Sequence, residues 1–384
     1  MQESISEKSK FSFFKIKNYW RNVDKQILVS FFLLFILGSF FSFSSTSFLA
    51  DERLSKEYYF FFQKHLLYAS ISFSIMVFIS ALNTDLLNKS LLPIFLIFFV
   101  ILILVPFVGV EIKGAKRWLN FFSLRFQPIE FIKPFFVLIV AQTISLKWTR
   151  NMNLSYFISF ILLSAIVLLL ILQPDLGQSI LLICTWISLI FVSGVNILFL
   201  FLLFIFVIFL FLILLYLAPE KFSYIITRIT SFFDPTKTDN SQSQKAIEAI
   251  KQGGLKGEGM GEGILKESVP EAHTDYIIAV ISEEFGSIVS IFVISIFLFI
   301  TFRVVKKIIN SSNNFYKLSL CGLSSLLVFQ TFIHVGVNAN LLPTTGMTLP
   351  FLSYGGSSLL SHMISGSMES IQTSLQAIRG KRVI

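Results

Sequence analysis

Asp275 closes the stretch Val269-Pro-Glu-Ala-His-Thr-Asp275, which also carries Glu271 and His273. A carboxylate where a polar loop enters an apolar run is a candidate general base, because partial burial there raises its pKa toward the working pH. The other use of an Asp at such a place is a helix cap. His273 adds a second acid–base group or a hydrogen-bond donor. No His-Glu-x-x-His spacing accompanies it, which argues against zinc. A second stretch, Gly114-Ala-Lys-Arg-Trp118, supplies Lys116, Arg117 and Trp118, and is followed by Gln127-Pro-Ile-Glu-Phe-Ile-Lys133. Pro128 suits a first helical turn, so Glu130 and Lys133 share one face at i, i+3, as a structural ion pair or as part of a site. Asp175, in Gln173-Pro-Asp-Leu-Gly177, is either an N-cap or a group that shapes and charges a site. The fourth stretch runs from Leu342 to Ser358, includes Ser353, and holds two prolines and three glycines. Interrupted helices at membrane depth line cavities, while small residues also permit close helix packing.

These residues sit among elements that the composition identifies. Of the 384 residues, 54% are hydrophobic and 14% charged, with a mean hydropathy of +0.78. A soluble domain of this size has no room for so much apolar surface, whereas bilayer hydrocarbon accepts it in runs of about 20 residues. Ten runs qualify, near 27–47, 61–81, 91–109, 127–146, 155–173, 177–194, 196–217, 275–302, 315–338 and 349–373. The expected fold class is therefore an all-α polytopic membrane protein with about ten transmembrane helices. Strand-like alternation is missing, which argues against a β-barrel. Phe48 stands at −3 from Ala50, where a cleavage site needs a small residue, so the first span is read as uncleaved.

Lys and Arg favour the cytoplasmic side of short loops. With residues 1–26 and 376–384 as basic cytoplasmic tails, the spans of a 27–375 domain alternate consistently, and the net charge of +9 is mostly a topology signal with no call for nucleic acid. Two outer loops break the rule. One, near 109–126, carries Lys113, Lys116, Arg117 and Arg125. The other is the long loop 218–274. Basic groups on that side suit an anionic ligand such as a pyrophosphate. Within the long loop, Lys221 to Ile250 suits amphipathic helices on the membrane, and Gln252 to Gly263 carries six glycines. With no Gly-Lys-Ser/Thr ending and no preceding strand, the latter is not a nucleotide loop. Cys184 and Cys321, both inside spans, serve as apolar filler. All four polar stretches fall on the outer side. They imply one outward-opening cavity for a substrate with a lipid tail, a phosphate head and a hydroxyl acceptor.

In order and spacing these stretches resemble the SEDS family (shape, elongation, division and sporulation), from about residue 25 to 375. Pro270-Glu-Ala-His-Thr-Asp275 and Leu342-Pro-Thr are most like its division branch, FtsW. The resemblance implies ten membrane helices in a bacterial inner membrane, both termini cytoplasmic, and localisation at the division septum. It implies an inverting peptidoglycan glycosyltransferase that polymerises lipid II, a disaccharide-pentapeptide on undecaprenyl pyrophosphate. It carries a catalytic role to Asp275. Substrate-binding roles fall on Arg117, Trp118, Lys116, Glu130, Lys133, Asp175, Glu271, His273 and Ser353. The reaction leaves room for a divalent cation, Mg²⁺ or Mn²⁺, beside the leaving pyrophosphate. Implied partners are membrane lipid, a class B penicillin-binding protein transpeptidase and other division proteins. The branch usually has Lys after Leu-Pro-Thr, where this chain has Thr345; Glu258 and Ile277-Ile278 are smaller departures. Competing readings are a lipid II flippase, an elongation-type (RodA-like) polymerase and a non-catalytic division scaffold.

Overall fold

The computed structural model describes residues 24–48, 60–81, 84–112, 115–121, 124–145, 151–196, 223–233, 241–269 and 271–380, with scattered positions between 198 and 209. Most of the expected span 196–217 and of the N-terminal tail, residues 381–384 of the C-terminal tail, and Lys113, Gly114 and Pro270 therefore lie outside the described residues. The helices are α1 (Lys25–Phe48), α2 (Phe60–Ala81), α3 (Thr84–Val108), α4 (Pro128–Ile144), α5 (Met152–Leu172), α6 (Leu176–Val192), α7 (Ser223–Phe233), α8 (Ser241–Gly253), α9 (Leu265–Ser268), α10 (Ile277–Ile309), α11 (Asn314–Asn338) and α12 (Gly356–Gly380). Among the described residues, six helices are long and apolar enough to cross a membrane, namely α1, α2, α3, α5, α10 and α11.

Helix α4 explains why length and hydropathy undercount the bundle. It has 17 residues, two prolines and a Glu–Lys pair, yet every residue from Pro128 to Ile144 except Phe131 is buried. A helix buried all round is the centre of a bundle, not its lipid face. It packs against α3, α5, α6, α11 and α12. Inside a bilayer, close packing does the work that hydrophobicity does in water. Gly322 shows how tight this is, since a methyl there would stand 2.5 Å from Val137 Cγ1 and 2.9 Å from Leu189 Cδ2.

Three features depart from the sequence expectation. First, residues 110–126 fold as a small antiparallel sheet in the order β1-β2-β3, with strands Val110–Ile112, Ala115–Phe121 and Leu124–Phe126. Glu111 pairs with Lys116 across it, and the register shifts beside Val110. Second, the last helix begins at Gly356, seven positions later than expected, because Pro350 and the glycines keep 343–355 out of helix. Third, α8 packs along α10, a contact that the sequence does not reveal.

Helix α10 breaks at Gly286, whose φ is 82°. The glycine-rich segment docks at this break. The amides of Glu258 and Gly259 donate to the carbonyls of Glu283 and Glu284, at 2.9 and 3.0 Å. The Glu283 carboxylate accepts from the amides of Leu265 and Lys266, both at 2.7 Å, and Glu284 pairs with Lys266. Gly253, Gly257 and Gly263 thus serve close packing, whereas Gly254, Gly259 and Gly261 supply positive φ angles for the turns. At Gly257 a methyl would meet the Glu284 carbonyl oxygen at 2.3 Å.

The two ends of α10 carry different polar groups. Near its C-terminal end Arg303 and Lys307 pair with Asp24, just before α1, at 3.2 and 3.3 Å. At its N-terminal end stands Asp275.

Candidate active site

A cavity of about 860 Å³ opens at the Asp275 end. Strand β2, the start of α4, the loop 271–276, the turns 343–356, α2 and α7 all line it. Its charged wall residues are Lys64, Arg117, Arg125, Glu130, Arg228, Glu271 and Asp275, and its aromatic ones include Trp118, Tyr68, His273 and Tyr354. This size and this mixture of apolar wall with a few charged groups suit a sizeable ligand.

Asp275 is partly exposed, on a tight turn before α10. Glu271 opens this turn in the left-handed region, at φ 57°, and its carbonyl accepts from the amides of Thr274 and Asp275, each at 3.0 Å. The turn is stitched to 343–355. Ser353 Oγ donates to the Thr274 carbonyl at 2.6 Å and accepts from the Leu349 amide at 2.8 Å. The Tyr354 amide donates to the His273 carbonyl at 2.9 Å. The His273 and Tyr354 rings lie 5.9 Å apart. Gly346, at φ 71°, faces two charged side chains: a methyl there would stand 3.7 Å from Asp275 Oδ2 and 4.0 Å from Arg117 Nη1.

Strand β2 aims Arg117 at the 173–175 turn. Its Nε donates to the Gln173 carbonyl at 3.1 Å, Nη2 donates to the Pro174 carbonyl, and Nη1 lies 3.8 Å from Asp175 Oδ1. Asp175 is the N-cap of α6, accepting from the Gln178 amide at 3.4 Å, and also accepts from Gln127 Nε2 at 3.1 Å. Burial pushes its carboxyl above the usual range, and the Arg117 charge works against that shift. The cap reading of Asp175 holds, and the same carboxylate stands beside the Arg117 guanidinium. It orients the guanidinium from behind.

From there a polar network runs inward. Gln178 Nε2 donates to Glu130 Oε1 at 2.6 Å, and Lys133 Nζ lies 2.8 Å from Glu130 Oε2. Lys133 Nζ also donates to Gln330 Oε1 at 3.1 Å, and Gln330 Nε2 donates to the Thr348 carbonyl at 2.9 Å. Buried networks of this kind favour a single packing arrangement, although Gln178 Oε1 has no hydrogen-bond partner among the described residues.

Of the residues singled out from sequence, Asp275, Arg117, Trp118, Glu130, Glu271 and His273 line the cavity. Four do not. Lys116 is exposed and stands outside the cavity lining, although Arg117 and Trp118 beside it on β2 are part of it. Lys133 lies behind Glu130, Asp175 behind Arg117, and Ser353 is buried as a backbone clamp. Cationic residues not singled out for the site are Arg228, Lys64 and Arg125. Arg228 Nη1 donates to the Thr344 carbonyl at 2.6 Å. Its position in the long loop gave no motif to find it by, although a basic residue on the outer side was itself a signal. Thr345 does not offer its side chain to the cavity; it packs against Gly177.

Comparison with known proteins agrees with this architecture. The family described as "Cell cycle protein", covering FtsW, RodA and SpoVE, matches residues 24–376. A "Probable peptidoglycan glycosyltransferase FtsW" of Caulobacter vibrioides is 33% identical over 343 residues, covering 89% of this chain and 87% of that one. "Stage V sporulation protein E" of Bacillus subtilis is 32% identical over 348 residues, covering 88% and 93%. Among solved structures, a chain of a peptidoglycan synthase complex that coordinates polymerization and crosslinking superposes with a TM-score of 0.73. That match has 22% identity and covers 92% of this chain and 98% of that one. The Rod shape determining protein RodA of Thermus thermophilus gives 0.68 at 22% identity, covering 93% and 98%.

Proposed function

This chain belongs to the FtsW/RodA/SpoVE family of cell cycle proteins, and from that premise we propose that it is a peptidoglycan glycosyltransferase that polymerises lipid II. The observation that carries the reading is the convergence of Asp275 and Arg117 on the space beside Gly346. Asp275 takes the proton of the acceptor sugar 4-hydroxyl. The oxygen forms a bond to C1 of the donor sugar, the bond from C1 to the pyrophosphate oxygen breaks, and undecaprenyl pyrophosphate leaves with its charge. Attack from the opposite face inverts C1 and gives a β-1,4 link. Charge develops on the leaving pyrophosphate, and cations fixed in a partly desolvated cavity stabilise it strongly. Arg117 is held in place by three acceptors, and Arg228 and Arg125 share the wall.

Among the described residues no three His, Cys, Asp or Glu side chains gather as a metal cage. Mg²⁺ needs no such cage, since it takes one or two carboxylates and completes its shell with water and substrate phosphate. Glu271, on the cavity wall, is the carboxylate that would hold a Mg²⁺ or Mn²⁺ ion, which would supply further charge to the leaving group.

The relatives named FtsW favour the division polymerase over the elongation type, and with it a place at the septum of a bacterial inner membrane. The distribution of Lys and Arg supports a cavity that faces outward. The likeness to a chain of a synthase complex supports a crosslinking partner of the class B penicillin-binding type. The test is polymerisation of lipid II by the purified protein in detergent, read as glycan ladders. A flippase has no two sides to act between there and leaves lipid II unchanged.

A further inference from the structure

Helix α11 ends in two polar residues one turn apart, His334 and Asn338, and both are buried. Asn338 has three partners. Its Nδ2 donates to the Asp275 carbonyl at 3.0 Å and to the His334 carbonyl at 2.8 Å, and its Oδ1 accepts from the Ala279 amide at 3.1 Å. It therefore grips both sides of the turn that presents Asp275, the last residues of the loop and the first turn of α10. His334 Nδ1 meets the Met347 carbonyl at 2.8 Å, next to Gly346. One helical turn thus holds the backbone of the carboxylate and the backbone of the glycine it faces. A helix in a packed bundle is a rigid reference for both.

We propose that Asn338 is a positioning residue for Asp275, setting the carboxylate at its working distance from the acceptor without touching substrate. It rests on the glycosyltransferase reading. A displacement of about 1 Å at a reacting group lowers a rate by as much as about 100-fold. An amide is required for this task, because the side chain must donate to Asp275 and accept from Ala279 at once. Ala does neither, and an ionised Asp only accepts.

The test measures lipid II polymerisation by purified wild type, Asn338→Ala, Asn338→Asp, Asp275→Ala and the Asn338→Ala/Asp275→Ala double variant, with melting temperatures alongside. Each Asn338 variant should lower kcat by about 10–100-fold while KM stays within about threefold. In the Asp275→Ala background the Asn338 change should have no further effect, because a residue that acts through another is non-additive with it. Wild-type kcat in both single variants would overturn the proposal. So would an equal loss with and without Asp275, or failure of both single variants to accumulate as folded protein, since each marks a purely architectural role. Inactive wild-type protein would overturn instead the glycosyltransferase reading beneath it.

Discussion

Asp275 and Arg117 come from distant parts of the chain and meet across Gly346, whose missing side chain leaves room within 4.0 Å of both charged heads. Gly346→Ala places a methyl in that room. It also forces a left-handed backbone, at φ 71°, on a residue with a Cβ, at about 1–2 kcal/mol. The expected outcome is a lower melting temperature together with a fall of at least about tenfold in polymerisation. A variant that loses stability alone would show the space to be unused by substrate.

Arg117 is placed by geometry as much as by charge. Three of its nitrogens face three different acceptors in the 173–175 turn. Lysine keeps the charge and loses the planar fork. Arg117→Lys should cut kcat by about 100-fold or more, the usual scale for removing one preorganised electrostatic contact. Steady-state kinetics with purified protein would measure it.

The Glu130–Lys133 pair tests architecture rather than chemistry. Both side chains are almost fully buried. Removing one partner strands a charge in the bundle and costs about 3–5 kcal/mol, whereas removing both costs less than the two singles together. Glu130→Gln and Lys133→Met should each melt well below wild type, and the double variant should recover part of the loss. Thermal unfolding in detergent reads this directly.

The C-terminal end of α10 gives a pH prediction. Burial of Asp24 favours its neutral form, but the Arg303 hydrogen bond and the Arg303 and Lys307 charges outweigh it and hold the carboxyl below its usual 3.8. A lowered folded pKa means stability that is fully present above the unfolded value and disappears as pH falls through the folded one. The difference in melting temperature between wild type and Asp24→Asn should therefore hold steady above about pH 5 and shrink below 3.8. A difference unchanged down to acid pH would remove the ion cluster from the account.

The convergence of the four polar stretches was legible because ionisable groups at the ends of apolar runs are costly unless used. What escaped was of two kinds. The sheet at 110–126 has strands of three to seven residues, too short for alternation to register against the apolar runs on either side. The amides Gln127, Gln178, Gln330 and Asn338 carry no charge, so they draw little attention, yet each bonds a charged residue, Asn338 through the Asp275 backbone. Depth was equally hidden. Nothing in the spacing of Glu130 and Lys133 says that one faces the cavity and the other lies behind it. Lys116 and Arg117 are neighbours in sequence, yet only Arg117 lines the cavity.

The central claim is that the Asp275 carboxylate takes the acceptor proton. Purified Asp275→Ala protein, folded as judged by its melting temperature, should polymerise lipid II at least about 100-fold more slowly than wild type, the lower bound for losing a general base. Glycan ladders formed at the wild-type rate would contradict the account.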